Sequence, residues 1–415
     1  MHPILAAMRR NALGPALIAV QIALTLAILS NALLIINERL VAMARPSGVD
    51  ESRLFVIENQ WMGKPTDVPA RVQTDLAALR SLPGAVGAYA TNAYPLGERM
   101  WSFGITLDPD DKSTQILAGM YLADSNSLRV LGLQLIAGRN FNRDEVQSYS
   151  GLFSTVQPPD AIIITRQLAQ QLAPDGNVLG RLATIGFPPT SGSGSSVRIV
   201  GIVKSLQIAN VDAAGLPQGP RTSNSSLLLP YRFAAADSYY VVRTASPAQV
   251  GPVMKAATSK LYAVSRARVL RNVESLSTAR RGKYRSDRGQ VIMLVAVSAV
   301  LLAMTAWGIV GLTSCWVNQR RRHIGIRRAL GATRAAIVRQ FQAENLLIAV
   351  AGIAAGTGLA IAANLWLIDR FQMDHLDYRY AVLGAIVVLL LGQAATLWPA
   401  LRAASVPPAE ATRTV

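Results

Sequence analysis

Asn318-Gln-Arg-Arg-Arg-His-Ile-Gly-Ile-Arg-Arg-Ala-Leu-Gly-Ala-Thr-Arg-Ala-Ala-Ile-Val-Arg-Gln-Phe341 is the stretch that decides how this chain is laid out. Between Arg320 and Arg339 it holds seven arginines and no acid. Uncharged apolar runs flank it at residues 289–319 and 345–368, each longer than the ~20 residues a helix needs to cross a bilayer. A strongly basic segment between two spans is retained on the cytoplasmic face. Ile326, Leu330, Ile337 and Phe341 recur at helical spacing within it, so it also has the material for a docking helix.

Working outward, residues 380–401 form another uncharged run and residues 11–37 a fourth. The first run far exceeds the ~7–15 apolar residues of a signal peptide, which leaves a retained span as its reading. The predicted order is a cytoplasmic N-terminus (1–11), span 12–37, a large external region (38–288), span 289–317, the cytoplasmic segment 318–344, span 345–368, an outer loop 369–379, span 380–401 and a cytoplasmic C-terminus (402–415). Arg9, Arg10, the basic segment and Arg402 agree with that orientation. A basic cluster at Arg280, Arg281, Lys283, Arg285 and Arg288 opposes it, but long translocated domains cross largely regardless of charge.

Composition supports a membrane protein. Only 16% of the 415 residues are charged, against about 25% in soluble domains. The net charge of +17 is spread so that residues 38–289 carry 28 Lys and Arg against 19 Asp and Glu. Much of the remaining excess sits beside apolar spans, which suits a lipid bilayer or a cytoplasmic partner rather than nucleic acid. The single cysteine, Cys315, excludes an intrachain disulfide.

The external region reads as α+β. Strand candidates at residues 53–58 and 85–90 bracket a helix with Val68, Val72, Leu76 and Leu79 on one face. The same pattern returns as a strand at 239–243, a helix face of Val250, Val253, Ala257 and Leu261, and a strand at 266–273. These two βαβ units, about 50–93 and 234–275, predict one split subdomain with a mixed subdomain (about 94–233) inserted between them. The insert carries strand signals at 161–165 and 197–203, and a Pro/Gly/Ser run at 188–196 that reads as a mobile hairpin tip.

Catalytic chemistry is scarce. His2, His323 and His375 are far apart, which excludes a His-based zinc site, and no phosphate-binding G-x-x-x-x-G-K-[ST] loop occurs. The spans hold almost no ionisable groups; Gln21, Asn31 and Gln393 read as interhelical hydrogen bonders or substrate contacts. Gly352 and Gly356 form a small-xxx-small pattern, suited to close packing within the chain or between subunits. The basic segment itself is open between a topology determinant with snorkelling arginines and a force-receiving helix. In the second case Gly325 and Gly331 break or tighten the helix, and Thr333 caps the next one.

Arg321-Arg-His-Ile-Gly-Ile-Arg-Arg-Ala-Leu-Gly-Ala-Thr333 resembles the signature of FtsX-like permeases of ABC transporters. The external region is similar to the MacB-type periplasmic core domain, through Tyr121-Leu-Ala-Asp124, the run from Leu131 to Phe141, Ile162–Ala169 and Val200-Gly-Ile-Val203. Pro399-Ala-Leu-Arg402 and Pro407-Pro-Ala-Glu410 fit as well. The resemblance implies a non-catalytic permease subunit of the inner membrane, paired with a second copy or a paralogous permease and served by a separate cytoplasmic ATPase. ATP and Mg²⁺ would bind that ATPase, and this chain would carry no cofactor.

The same resemblance makes Arg321, Arg322, His323, Ile324, Gly325, Ile326, Arg327, Arg328, Leu330, Gly331 and Thr333 the ATPase-coupling segment. Nucleotide-driven motion would pass to the periplasmic domain, for efflux, export or mechanotransmission, with an adaptor or substrate protein as a periplasmic partner. His323 stands where the family usually has Glu. The alternative is a membrane-anchored periplasmic binding or adaptor protein with no ATPase.

Overall fold

The computed structural model describes residues 13–63, 66–111, 114–150, 157–186, 194–209, 223–371 and 375–405. The chain divides into two compact units: residues 44–285, and residues 1–43 together with 286–415. Helix α1 (Leu13–Ala44) leads from the second unit into the first.

The 44–285 unit begins with β1 (Leu54–Trp61), α2 (Val68–Arg80) and β2 (Ala85–Thr91). The insert follows, with β3 (Trp101–Thr106), β4 (Ile116–Leu122), α3 (Ser127–Leu131), β5 (Leu135–Gly138) and β6 (Gln147–Tyr149). It continues through β7 (Ala161–Thr165), α4 (Arg166–Leu172), β8 (Leu182–Ile185), β9 (Ser195–Val203), β10 (Ser226–Leu229) and β11 (Tyr231–Phe233). The unit is completed by β12 (Asp237–Thr244), α5 (Val250–Val264), β13 (Arg268–Ser275) and α6 (Leu276–Lys283).

The two halves predicted as βαβ units interleave in one antiparallel sheet of order β13-β1-β12-β2. Each unit's strands flank a strand of the other, the split βαβ arrangement of ferredoxin-like folds. The strands read as nearly continuous apolar runs because both faces are covered. Phe55, Ile57, Tyr240 and Val242 pack under α2 and α5, whereas Leu54, Val56, Tyr239 and Val241 face a core shared with the insert.

The insert is a mixed seven-stranded sheet, β5-β9-β7-β10-β4-β3-β8. Pairing of β8 with β9 closes the sheet on itself, so six of the strands form a ring, with β5 attached outside it on β9. Ile105, Met120, Ile162, Ile164, Leu227 and Leu229 fill one face of that ring. Residues 188–193 of the expected hairpin tip lie outside the described residues, and Ser195 and Ser196 belong to β9.

Two polar features lock the interleaved sheet. Arg268 and Asp75, both fully buried, form a bidentate pair at 2.7 and 2.8 Å. Tyr240 donates to the same carboxylate at 2.7 Å, and the guanidinium stacks on Trp61 at 3.9 Å. Arg280 makes a second two-point contact, to Glu51 at 2.7 and 2.8 Å. That pairing raises its pKa and gives one member of the basic cluster before the second span a structural partner.

The other unit contains α1, α7 (Arg285–Gln319), α8 (Arg321–Ala329), α9 (Arg334–Phe371) and α10 (Tyr378–Ala404). All but α8 are long and apolar enough to cross a membrane. The helices overrun the uncharged stretches: α7 starts at Arg285, and α9 runs unbroken from the basic segment into the third apolar run. Helix α1 is the most enclosed, with Ile18, Ile22 and Leu29 packed on Ile309, Ile348 and Val388.

Close approach has a visible cause. A Cβ at Gly352 would stand 2.8 Å from the Ala19 carbonyl oxygen, and one at Gly356 2.8 Å from that of Ala23, so both glycines face α1 of the same chain. Gln21 donates to the Met304 carbonyl at 3.1 Å and Asn31 to that of Ala360 at 3.2 Å, both interhelical. Gln393 has no such described bond through its amide nitrogen.

Replacing Asp75 by Ala leaves a buried guanidinium uncompensated, which costs about 3–5 kcal/mol. Tyr240→Phe removes a single hydrogen bond, worth about 1 kcal/mol. Hydrogen exchange of β1 and β13 in the full chain should rank the two variants in that order.

Candidate functional site

The basic segment folds as a short helix bounded at both ends. Helix α8 follows α7 with a one-residue break at Arg320 and stops at Leu330. Gly331 adopts φ +97, a conformation that costs other residues steric strain. Its N–H bonds the Arg328 carbonyl and that of Ala332 bonds Arg327, both at 3.1 Å, which is the Schellman closure of a helix. Thr333 then accepts the Ala336 N–H at 3.2 Å through its hydroxyl and caps α9. The turn between the two helices thus occupies only the four residues 330–333.

The apolar residues of the segment separate into two sets. Ile324, Ile337 and Phe341 are buried with Val317, Ala400, Ala403 and Ala404, which fixes α8 against α9 and α10. Ile326 and Leu330 point outward, Leu330 at 83% exposure. Ile326, Leu330, Ile337 and Phe341 recur at helical spacing, but the break at Gly331 and the Thr333 cap, both expected from the sequence, put the first two outside and the last two in the core. Gly325 is buried and Arg321 and Arg327 are exposed, with Arg328 part-exposed. The side chains of Arg322 and His323 lie outside the described residues.

A polar clasp, absent from the sequence reading, holds the segment from behind. Glu344 lies on α9, 6% exposed, and accepts from Arg320 at 3.0 and 3.2 Å. Gln340, one helical turn earlier, donates to Glu344 at 3.1 Å and accepts from Arg327 at 2.6 Å. The clasp therefore joins the break before α8, the last turn of α8 and the first turns of α9. Its signal was available in the sequence: Glu344 is the first acid after seven arginines, at the threshold of an apolar run.

The 44–285 unit contains a cavity of about 520 Å³, lined in part by Glu58, Arg99, Tyr239, Asn272 and Glu274. Glu58 is engaged by Arg99 and, at 2.7 Å, by Asn272, whose φ of +43 is held by that bond. Burial and then the neighbouring Glu98 raise the Glu274 pKa above the usual carboxylate value.

The family comparisons coincide with this division. A model of the MacB-like periplasmic core domain matches residues 16–260, more than half of the chain. The chain belongs to that family. The FtsX-like permease C-terminal model matches residues 295–408, a region that contains α8, its caps and its clasp. This membrane protein therefore joins a MacB-like periplasmic domain to an FtsX-like permease region. The first match stops inside α5, although β13 beyond it completes the four-stranded sheet.

Among curated relatives, the macrolide export ATP-binding/permease protein MacB of Shewanella oneidensis is 24% identical over 362 residues, 82% of this chain and 49% of that protein. MacB of Chromobacterium violaceum is 22% identical over 305 residues, 68% of this chain and 41% of its own length. The pyoverdine export ATP-binding/permease protein PvdT of Pseudomonas putida is 26% identical over 262 residues, 60% and 37%. The chain thus spans at most about half the length of these relatives. The periplasmic region of MacB from Actinobacillus actinomycetemcomitans matches with 12% identity and a TM-score of 0.32, over 58% of this chain and 97% of that one.

Glu344→Gln should accelerate hydrogen exchange through residues 320–331 roughly tenfold, the effect of losing one charge-assisted contact. Gly331→Ala should act in the same direction with about 1 kcal/mol of local strain. Because the folded chain holds the Glu274 proton more tightly than the unfolded chain does, its contribution to stability declines as pH rises from the usual carboxylate value through the raised one. Glu274→Gln should remove that decline in thermal melts of the full chain.

Proposed function

We propose that this chain is the permease subunit of an ABC transporter, in which α8 receives a separate cytoplasmic ATPase. The observation that carries the reading is the exposed pair Ile326 and Leu330 on a helix fixed by its Schellman closure, a buried apolar seam and the Glu344 clasp. An exposed apolar side chain on a rigid basic helix suits a partner surface better than a solvated tether. The relatives are ATP-binding/permease proteins by name, and their similarity supports the same pairing of functions here. ATP and Mg²⁺ are assigned to the ATPase, and this chain to a non-catalytic role.

In this reading the chain lies in the inner membrane with both termini cytoplasmic. ATP-driven displacement of α8 is carried into α9 through the clasp and the Ile324–Ile337–Phe341 seam. The periplasmic unit has a construction suited to receiving motion. Its two chain connections leave from paired strands, with Phe55 of β1 opposite Ser275 of β13, and Arg280 ties them through Glu51. Movement of those connections would act on one sheet and drive efflux or mechanical signalling. Exposed apolar residues along α7, among them Ile292, Val300 and Trp307, offer a face for lipid or for a second permease.

The test is co-purification and stimulated hydrolysis with the ATPase. Arg327→Glu/Arg328→Glu and, separately, Leu330→Asp should each reduce both by at least tenfold. Leu330 has no core contact to lose, so its effect reports docking rather than folding. Unchanged association and hydrolysis in Leu330→Asp and the double variant would overturn the proposal.

A further inference from the structure

We infer that the cleft between the C-terminal ends of α7 and α10 and the start of α8 binds the phosphate headgroup of an anionic phospholipid. The cleft measures about 310 Å³ and presents Arg321 and Arg402 together with Ser314, Asn318 and Ser405. Its apolar lining comes from Val317 and Pro399. Among the described residues no carboxylate lines the cleft or pairs with either arginine. This distinguishes them from Arg320, whose charge is taken up by Glu344. Two guanidinium groups lining one cleft with the Asn318 amide form a receptor for phosphate oxygens, while the Ser405 hydroxyl donates to the Arg402 carbonyl at 2.8 Å.

The source of the phosphate follows from what borders the cleft. Arg402 stacks on Trp398 at 5.7 Å, and Trp398 is 59% exposed on the apolar helix α10. Leu397 and Leu401 are exposed beside it. A tryptophan–arginine pair where apolar helix surface gives way to basic residues is the arrangement found at a membrane–water boundary. A headgroup in the cleft can keep its acyl chains along that surface, whereas free phosphate gains nothing from it. Basic pockets between spanning helices on the cytoplasmic side hold anionic headgroups by the same chemistry. The inference concerns a site beside the docking face and does not depend on an ATPase.

The experiment uses the full chain in neutral detergent, without ATPase, and native mass spectrometry with phosphatidylglycerol, phosphatidylcholine or inorganic phosphate. Phosphatidylglycerol should be retained in preference to phosphatidylcholine, and millimolar phosphate should not displace it. Arg321→Gln/Arg402→Gln should weaken retention roughly tenfold or more, as expected for losing two charged contacts. Asn318→Leu, which fills the cleft without changing charge, should weaken it as well and covers the case in which the double variant fails to fold. Arg334→Gln/Arg339→Gln, outside the cleft, should leave it unchanged. Equal losses in the two double variants would reduce the effect to diffuse charge and overturn the inference. Displacement by phosphate, or absence of any lipid preference, would overturn it equally.

Discussion

A carboxylate withdrawn from water at the end of a helix bundle must be neutralised where it stands, and Glu344 is neutralised by the segment that has arginines in excess. The exchange is asymmetric. Arg320 and Arg327 are drawn toward α9, directly or through Gln340, while Ile326 and Leu330 are left facing outward. One buried charge thus determines which side of α8 is structural and which is available. Removing it would release both helices from the geometry that leaves Ile326 and Leu330 exposed.

Within the bundle, packing rather than polarity fixes the helices. Gly352 and Gly356 allow the α1 backbone to approach α9, and only a few polar groups, such as Thr25 against Thr305 at 2.8 Å, bridge the interior. In the periplasmic unit the order is reversed: the Arg268–Asp75 pair and the Arg280–Glu51 pair tie together segments far apart in the chain. Folding of that sheet requires β12 and β13 to return after the whole insert, so its strength comes from long-range contacts. The buried pair makes any shift of register costly, because a slip would separate Arg268 from its only buried anion.

Much of the fold was legible because apolar periodicity survives burial. The helix face Val250, Val253, Ala257 and Leu261 is the set the structure buries, and β7 lies where the local pattern places it. The closed ring of the insert was not legible. Strand β8 has only four residues, and besides its hairpin with β9 it closes the ring by pairing with the distant β3, Ile105 opposite Ile185. The candidate segment was visible as composition and as a family string, but its two-sided character was not. That division depends on Gly331 reversing the chain and on Glu344, which belongs by sequence to the next span. Spacing alone places Ile326 and Phe341 on one face; the turn separates them.

Under the proposed function, the outer side of α8 touches an ATPase and the inner side does not. Site-specific photocrosslinking in native membranes tests it directly, with the probe at Leu330 on the outer side or at Ile337 in the buried seam. Position 330 should give a nucleotide-sensitive crosslink to an ATP-hydrolysing protein, and position 337 none. Equal crosslinking from both positions, or none from 330 in membranes that contain the ATPase, would contradict it.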